Sequence, residues 1–306
     1  MFSMSTCGPA KKTRDGRKMV AEALRLGFEY IELHHSLSIL TVQQIYELWQ
    51  EGHIKISSLH NFVPEPHRTS TFRTGPDAYS ISSPYTRERE YAVMHTKKTL
   101  DFARRFEASA VVLHCGKINM RHFTRKLISL QQKEGTRTRR YEKYMTKWMG
   151  KRTRKRQRYL DALLKSISEL NEIAVKTGIK LGIETRYNFN EIPVFDEFRI
   201  IFDEFKGGNV YYWHDVGHAQ IYEELGFMQH ERFLEAYGAE MIGIHLHDIS
   251  GTFDHKVPLM GSFDFKRIVP FIKKDHIKVL ESFLPATEAE LQRGVKFLRH
   301  ILADVL

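Results

Sequence analysis

Short apolar, strand-favouring runs recur along the chain, and after each one apolar positions return every three or four residues. The two periods predict strands at 2–6, 30–33, 54–59, 110–114, 180–184, 210–214, 241–246 and 278–281. They predict helices at 15–26, 41–51, 88–106, 159–176, 194–205, 231–237, 265–273 and 287–302, the second opening on Thr41 as a cap. Eight strands alternating with helices define an α/β chain and predict a closed (β/α)8 barrel that takes up residues 1–306 as a single domain. An open doubly wound sheet has the same alternation, but no Gly-rich phosphate turn follows the first strand.

Two connections are long. Residues 60–87 hold Pro64, Pro66, Pro76 and Pro84 and predict an irregular loop. Residues 117–158 form a basic arm inserted after the fourth strand, partly helical around 124–132 and 139–148. Both follow a strand's C-terminal end, the catalytic face of such a barrel. The arm is therefore expected over or beside the site, as a cover that can be deleted from 124 to 150 without unfolding the barrel.

Charge sharpens this picture. The formal net charge is +10, but 117–158 alone carries sixteen Lys or Arg against Glu134 and Glu142, a local +14 that leaves the rest of the chain at −4. Such a segment is either a solvated helical face or an anion-binding surface for phosphate or nucleic acid. Tyr141, Tyr144, Trp148 and Tyr159 are interleaved with it, either to stack on bases or as the packing face of a helix. Hydrophobic residues make up 42% of the chain, enough for a sizeable core. No apolar run reaches eighteen residues, so no membrane span is read, and the first eight residues lack a signal-peptide pattern. Two cysteines, Cys7 and Cys115, make no disulfide framework and suit a reducing cytoplasm. Both are read as small buried residues.

The ionisable residues fall at strand ends. Glu32 and His34 close the second strand, His60 the third, His114 the fourth and Glu184 the fifth. His214, Asp215 and His218 close the sixth, His245, His247 and Asp248 the seventh, and Glu281 the eighth, with His255 in the loop after the seventh. One such ending is unremarkable. Repeated strand after strand around a barrel, these endings converge on one mouth, where carboxylates and imidazoles repel or stay unsatisfied unless a cation sits among them. Asp, Glu and His are ligands for a divalent metal. At Asp215 and His218 the chain turns from strand into helix, so both side chains can face the mouth.

These phrases, with Glu-Thr-Arg-Tyr from Glu184, Trp-His-Asp-Val-Gly-His up to His218 and His-Leu-His-Asp from His245, resemble the xylose isomerase-like TIM barrel superfamily over nearly the whole chain. That superfamily includes sugar isomerases and epimerases and the second family of apurinic/apyrimidinic endonucleases. In the isomerase branch the resemblance implies one divalent metal (Mn, Zn, Mg or Co) held by Glu184, Asp215, His245 and Glu281. Glu184 and Glu281 would be the catalytic pair that moves a proton beside a carbonyl of a sugar or sugar phosphate. His218, His60, Arg186, His247 and Lys117 would bind substrate, the two cations holding a phosphate. The endonuclease branch implies a phosphodiesterase with up to three zinc ions and further ligands His60, His114, His218 and His255, with the basic arm gripping DNA. Its remaining ligand, an Asp two residues before the loop His, is Phe253 here with Asp254 beside it, which leaves the third metal open. Paired barrels in the superfamily make a homodimer the expected assembly.

Overall fold

Barrel strands form where the apolar runs predict them. They are β1 (Phe2–Ser5), β2 (Tyr30–Leu33), β3 (Lys55–His60), β4 (Ala110–Leu113), β5 (Lys180–Glu184), β6 (Val210–Asp215) and β7 (Met241–Leu246). A two-stranded hairpin follows, β8 (Asp248–Ser250) with β9 (Phe253–Lys256), and β10 (Ile277–Leu280) completes the set. All eight barrel strands run parallel and close in the order β1-β10-β7-β6-β5-β4-β3-β2. This computed structural model describes residues 1–66, 78–283 and 285–306; part of the proline-rich loop, Pro76 included, lies outside the described residues.

Helices α1 (Cys7–Lys12), α2 (Gly16–Arg25), α3 (Ile39–Gln50), α4 (Thr86–Arg105), α5 (Thr124–Glu134), α6 (Arg139–Thr177), α7 (Phe195–Glu204), α8 (Val216–Glu224), α9 (Glu231–Tyr237) and α10 (Glu288–Ile301) surround it. Besides the short helix α1, which the sequence reading does not include, three features depart from it. The hairpin β8–β9 replaces a plain loop and carries His255. The helix expected at 265–273 breaks into two short 3-10 pieces, Phe265–Arg267 and Val269–Phe271, because Pro270 has no N–H to continue an α-helical ladder. Most consequential, the second arm helix and the barrel helix after it are one element, α6, 39 residues long. Thr138 caps it by accepting from the Tyr141 N–H, and Gly178, at φ +73°, ends it in the left-handed conformation that glycine adopts freely. Between the caps lie no proline and many Lys, Arg and Leu, all good helix formers.

The arm is also not a detachable cover. Leu127, Leu130, Tyr141 and Tyr159 are buried in the main core, and the Tyr141 hydroxyl donates to the Leu225 carbonyl at 2.7 Å. The arm's interleaved aromatics thus form a packing face. Arg152 is buried too, its guanidinium forking onto both carboxylate oxygens of Glu197 at 2.6 and 2.8 Å and onto the Glu191 carbonyl at 2.7 Å. Deleting 124–150 would remove core, contrary to the sequence expectation.

Inside the barrel a small separate core holds Ala110, Val112, Trp213, Ile242, Ile277 and Val279. Trp213 takes most of this space, and glycine on each neighbouring strand makes room for it. A Cβ on Gly182 would lie 2.9 Å from the indole, and one on Gly243 would lie 2.3 Å from it. Gly243→Ala is therefore expected to lower unfolding free energy by about 3 kcal/mol, the upper end for overpacking a rigid site. Urea denaturation measures it, and a loss below about 0.5 kcal/mol would mean the indole has somewhere to move.

Side chains alternate along a strand with period two. From Val112, Gly182, Trp213, Gly243 and Val279, two residues on, come His114, Glu184, Asp215, His245 and Glu281. The layer above the indole is thus the layer of ionisable groups.

Candidate metal centre at the barrel mouth

His245 is the hub of this layer. Its Nδ1 lies 3.1 Å from Glu281 Oε2, 3.2 Å from Glu184 Oε1 and 3.6 Å from Asp215 Oδ2. On the other side of the ring, Nε2 lies 3.2 and 3.3 Å from the two oxygens of Glu32. All five side chains are buried. Four carboxylates around one imidazole, with Arg186 Nη1 3.4 Å from Glu184 as a nearby cation, leave an excess of negative charge that a divalent cation would neutralise. Burial pushes the Glu184 carboxyl up, but His114 and Arg186 outweigh it and hold it well below the usual carboxylate range. Burial likewise raises Asp215, while His218 and His247 bring it well below that range. Both are thus anionic and ready to ligate.

The ligand atoms fall into overlapping groups, each within 4.8 Å: Glu184, Asp215, His245 and Glu281; His60, His114 and Glu184; His218, Asp254 and His255; and Asp215, His247, His255 and Glu281. Within the second group His114 Nε2 approaches Glu184 Oε2 to 2.5 Å, and His60 Nε2 lies 3.6 Å from the same oxygen. The donor set fits divalent metal: oxygen and nitrogen ligands, mutually close and buried.

Local structure explains the Asp-x-x-His spacing. Asp215 is the N-cap of α8, its Oδ1 accepting from the His218 N–H at 2.7 Å. The same bond that starts the helix aims both side chains at the mouth. His218 Nδ1 faces the Thr185 carbonyl at 2.9 Å, which can only accept, so the proton sits there and Nε2 keeps its lone pair. Burial lowers the ring to about 3, so it stays neutral. Its Nε2 points at Asp254, 3.5 Å away, and Asp254 in turn meets His255 Nδ1 at 3.1 Å. His255 occupies the hairpin at φ +56°. Asp254 thus joins the cluster although Phe253, 66% exposed, holds the position the resemblance assigns to an Asp.

The remaining expected residues divide. His247 is fully buried with both nitrogens engaged: Nε2 faces Asp215 Oδ1 at 3.0 Å and Nδ1 accepts from the His255 N–H at 2.8 Å. Arg186 sits at the rim between Glu184 and Glu191. Lys117 is not in the cluster; it lines a neighbouring cavity of about 200 Å³ with Ser83, Glu88, Asn119, His122 and Asn190. Glu32 and Asp254 are the residues the sequence reading left out of the site. Glu32 did stand at a strand end like the others, which was the available signal.

Glu32 accepts from the Ser58 hydroxyl at 2.8 Å and faces His245 Nε2. With carboxylates against both nitrogens, burial pulls the ring down, but Glu281 and Glu32 outweigh it and hold it well above the usual imidazole range. A metal at Nδ1 would displace one proton and leave Glu32 holding the other on Nε2. Removing such a partner typically weakens metal affinity 10–100-fold. Glu32→Gln is expected to do so in a competition titration against a chromophoric chelator. Unchanged affinity would show that the ring is oriented without Glu32.

Residues 20–301 match the Xylose isomerase-like TIM barrel family, and the chain belongs to it. No curated protein matches the chain by sequence. Among solved structures it is similar to a D-psicose 3-epimerase with D-tagatose from Clostridium cellulolyticum, with 14% identity, TM-score 0.69, and 98% of this chain and 99% of that one covered. A D-tagatose 3-epimerase-like protein follows at 18% identity and TM-score 0.67, covering 99% and 97%. IolI protein with a bound zinc atom matches at 13% identity and TM-score 0.65, also covering 99% and 97%. Identities this low carry the fold alone. Among the described residues no helix is long and apolar enough to cross a membrane.

Proposed function

We propose that this chain is a divalent-metal-dependent isomerase or epimerase acting on a sugar or sugar phosphate. The observation that carries the reading is the buried quartet Glu184, Asp215, His245 and Glu281, whose ligand atoms lie within 4.8 Å of one another at the closed end of the mouth. Bound there, the metal supplies a Lewis acid that polarises a substrate carbonyl. The chain's own residues do the rest. Glu184 and Glu281 come from strands on different sides of the mouth, and each can take a proton from carbon beside that carbonyl or return one. His218, neutral, offers Nε2 to a substrate hydroxyl. Arg186 holds Glu184 ionised and stands at the rim, where it can meet a phosphate. His247, expected from sequence to touch substrate, orients Asp215.

A second reading, a metal-dependent phosphodiesterase of the apurinic/apyrimidinic endonuclease type, is favoured by one observation. The groups His60–His114–Glu184 and His218–Asp254–His255 flank the quartet, the first sharing Glu184 with it, as in a multi-metal site. Metal content separates the two. Protein purified without chelator is expected to hold one divalent metal per chain by elemental analysis, with the same content in His60→Ala. It is further expected to wash hydrogen from carbon of a keto- or aldo-sugar in deuterated water. Two or three metals per chain, one lost in His60→Ala, together with cleavage of abasic DNA, would overturn the first reading in favour of the second.

A further inference from the structure

The basic arm has no role in the reading above, and the fold makes it more than a solvated helix. Twelve Lys or Arg between Arg121 and Arg158 are exposed, and among the described residues only Arg140 of these has a carboxylate within 4 Å, Glu134 at 3.4 Å. The cations are not scattered. A cleft of about 440 Å³ is lined by Met120, Arg121, Trp148, Lys151, Arg154 and Lys155, four cations with no acid among the lining residues. Lys151 Nζ sits 4.4 Å over the Trp148 ring, and Lys155 Nζ reaches the Asn119 carbonyl at 3.3 Å. Like charges gathered in one cleft repel unless an anion lies between them.

The arm is also held still. The Arg152–Glu197 fork lies within the same helical stretch as Lys151 and Arg154, and Tyr141 ties the N-terminal end of α6 to Leu225. The cations are therefore presented from a rigid surface. The first half of α6, 139–158, spans about 30 Å at 1.5 Å per residue. That length covers several phosphates and exceeds what one sugar phosphate needs. Exposed large apolar side chains are found elsewhere in the chain, such as Leu40, Tyr85 and Leu259, but none falls within 121–158. A surface without apolar residues to insert suits a hydrated polyanion better than a lipid bilayer.

We propose that the outer face of α5 and α6, anchored on the Trp148 cleft, docks the phosphate backbone of a nucleic acid. The docking is independent of base sequence and of the metal centre. Trp148 has Phe123 stacked near one face (centroids 5.9 Å) and Lys151 over the ring, so the contact is electrostatic and not a base stack.

Fluorescence anisotropy of a labelled duplex oligonucleotide tests this, with excess chelator present so that the catalytic reading is not involved. Binding is expected with Kd on the order of 10⁻⁶–10⁻⁴ M near physiological salt, with log K falling linearly against log salt. The double variant Arg154→Glu, Lys155→Glu alters exposed positions only. It is expected to weaken binding at least about tenfold and to flatten the salt slope by about two, while leaving metal content and thermal unfolding unchanged. Inorganic phosphate at equal ionic strength should not displace the oligonucleotide beyond its salt effect. Phosphatidylcholine–phosphatidylserine vesicles should not compete. No binding at low salt, equal binding by the variant, or displacement by either competitor would overturn the proposal. A lost sugar activity with docking intact would instead count against the catalytic reading alone.

Discussion

Glu184→Gln is expected to remove turnover almost entirely, by about 10⁴-fold or more. The amide has the shape of the carboxylate but neither its charge nor its basicity. Glu184 stands in two of the ligand groups, the quartet and the His60–His114 triad, so one substitution weakens both. It also removes one of the two carboxylates proposed to move the proton, a role worth 10²–10⁴ on its own. The readout is the hydrogen-exchange rate on the sugar that wild type accepts, measured at saturating metal so that loss of affinity is offset. Activity within tenfold of wild type would sink the mechanism. Activity restored by metal alone would reduce Glu184 to a ligand.

The second large effect is on stability. Glu197→Ala leaves the Arg152 guanidinium buried at 2% exposure without its carboxylate, and α7 loses the Glu197 Oε2 bond to the Val194 N–H at 2.8 Å. Breaking a buried pair from one side costs about 3–5 kcal/mol, because the remaining charge has nowhere to go. Denaturant unfolding should show that loss, whereas replacing both residues by leucine should recover most of it. If Glu197→Ala cost less than about 1 kcal/mol, water must reach Arg152, and the arm would be looser than its contacts imply.

The barrel was legible because strand and helix periods alternate cleanly, and because parallel strands buried on both faces read as continuous apolar runs. Most of the centre was legible for a related reason. An ionisable residue closing such a run stands out, and His60, His114, Glu184, Asp215, His245 and Glu281 all do so. The misses are of other kinds. Asp254 depends on where a short hairpin places one side chain, and a one-residue shift from the expected Asp position is invisible in linear spacing. Glu32 was visible as a strand end, but only the closed barrel brings it against His245, 213 residues away. The continuity of α6 does not show in the apolar period, because 149–158 is almost entirely polar and basic; Gly150 within it costs a helix about 1 kcal/mol and is overridden by packing on both sides. Arg152 read as one more surface cation because its partner lies 45 residues on, in another helix.

Trp213 and the two glycines that admit it also set the direction of traffic. The indole fills the barrel beneath the carboxylates, so among the described residues the quartet faces the mouth. Under the proposed function, metal and sugar would share that opening, the ion lying deeper than the sugar. A sugar bound across the opening would then slow release of the ion, a consequence readable as substrate protection against a chelator.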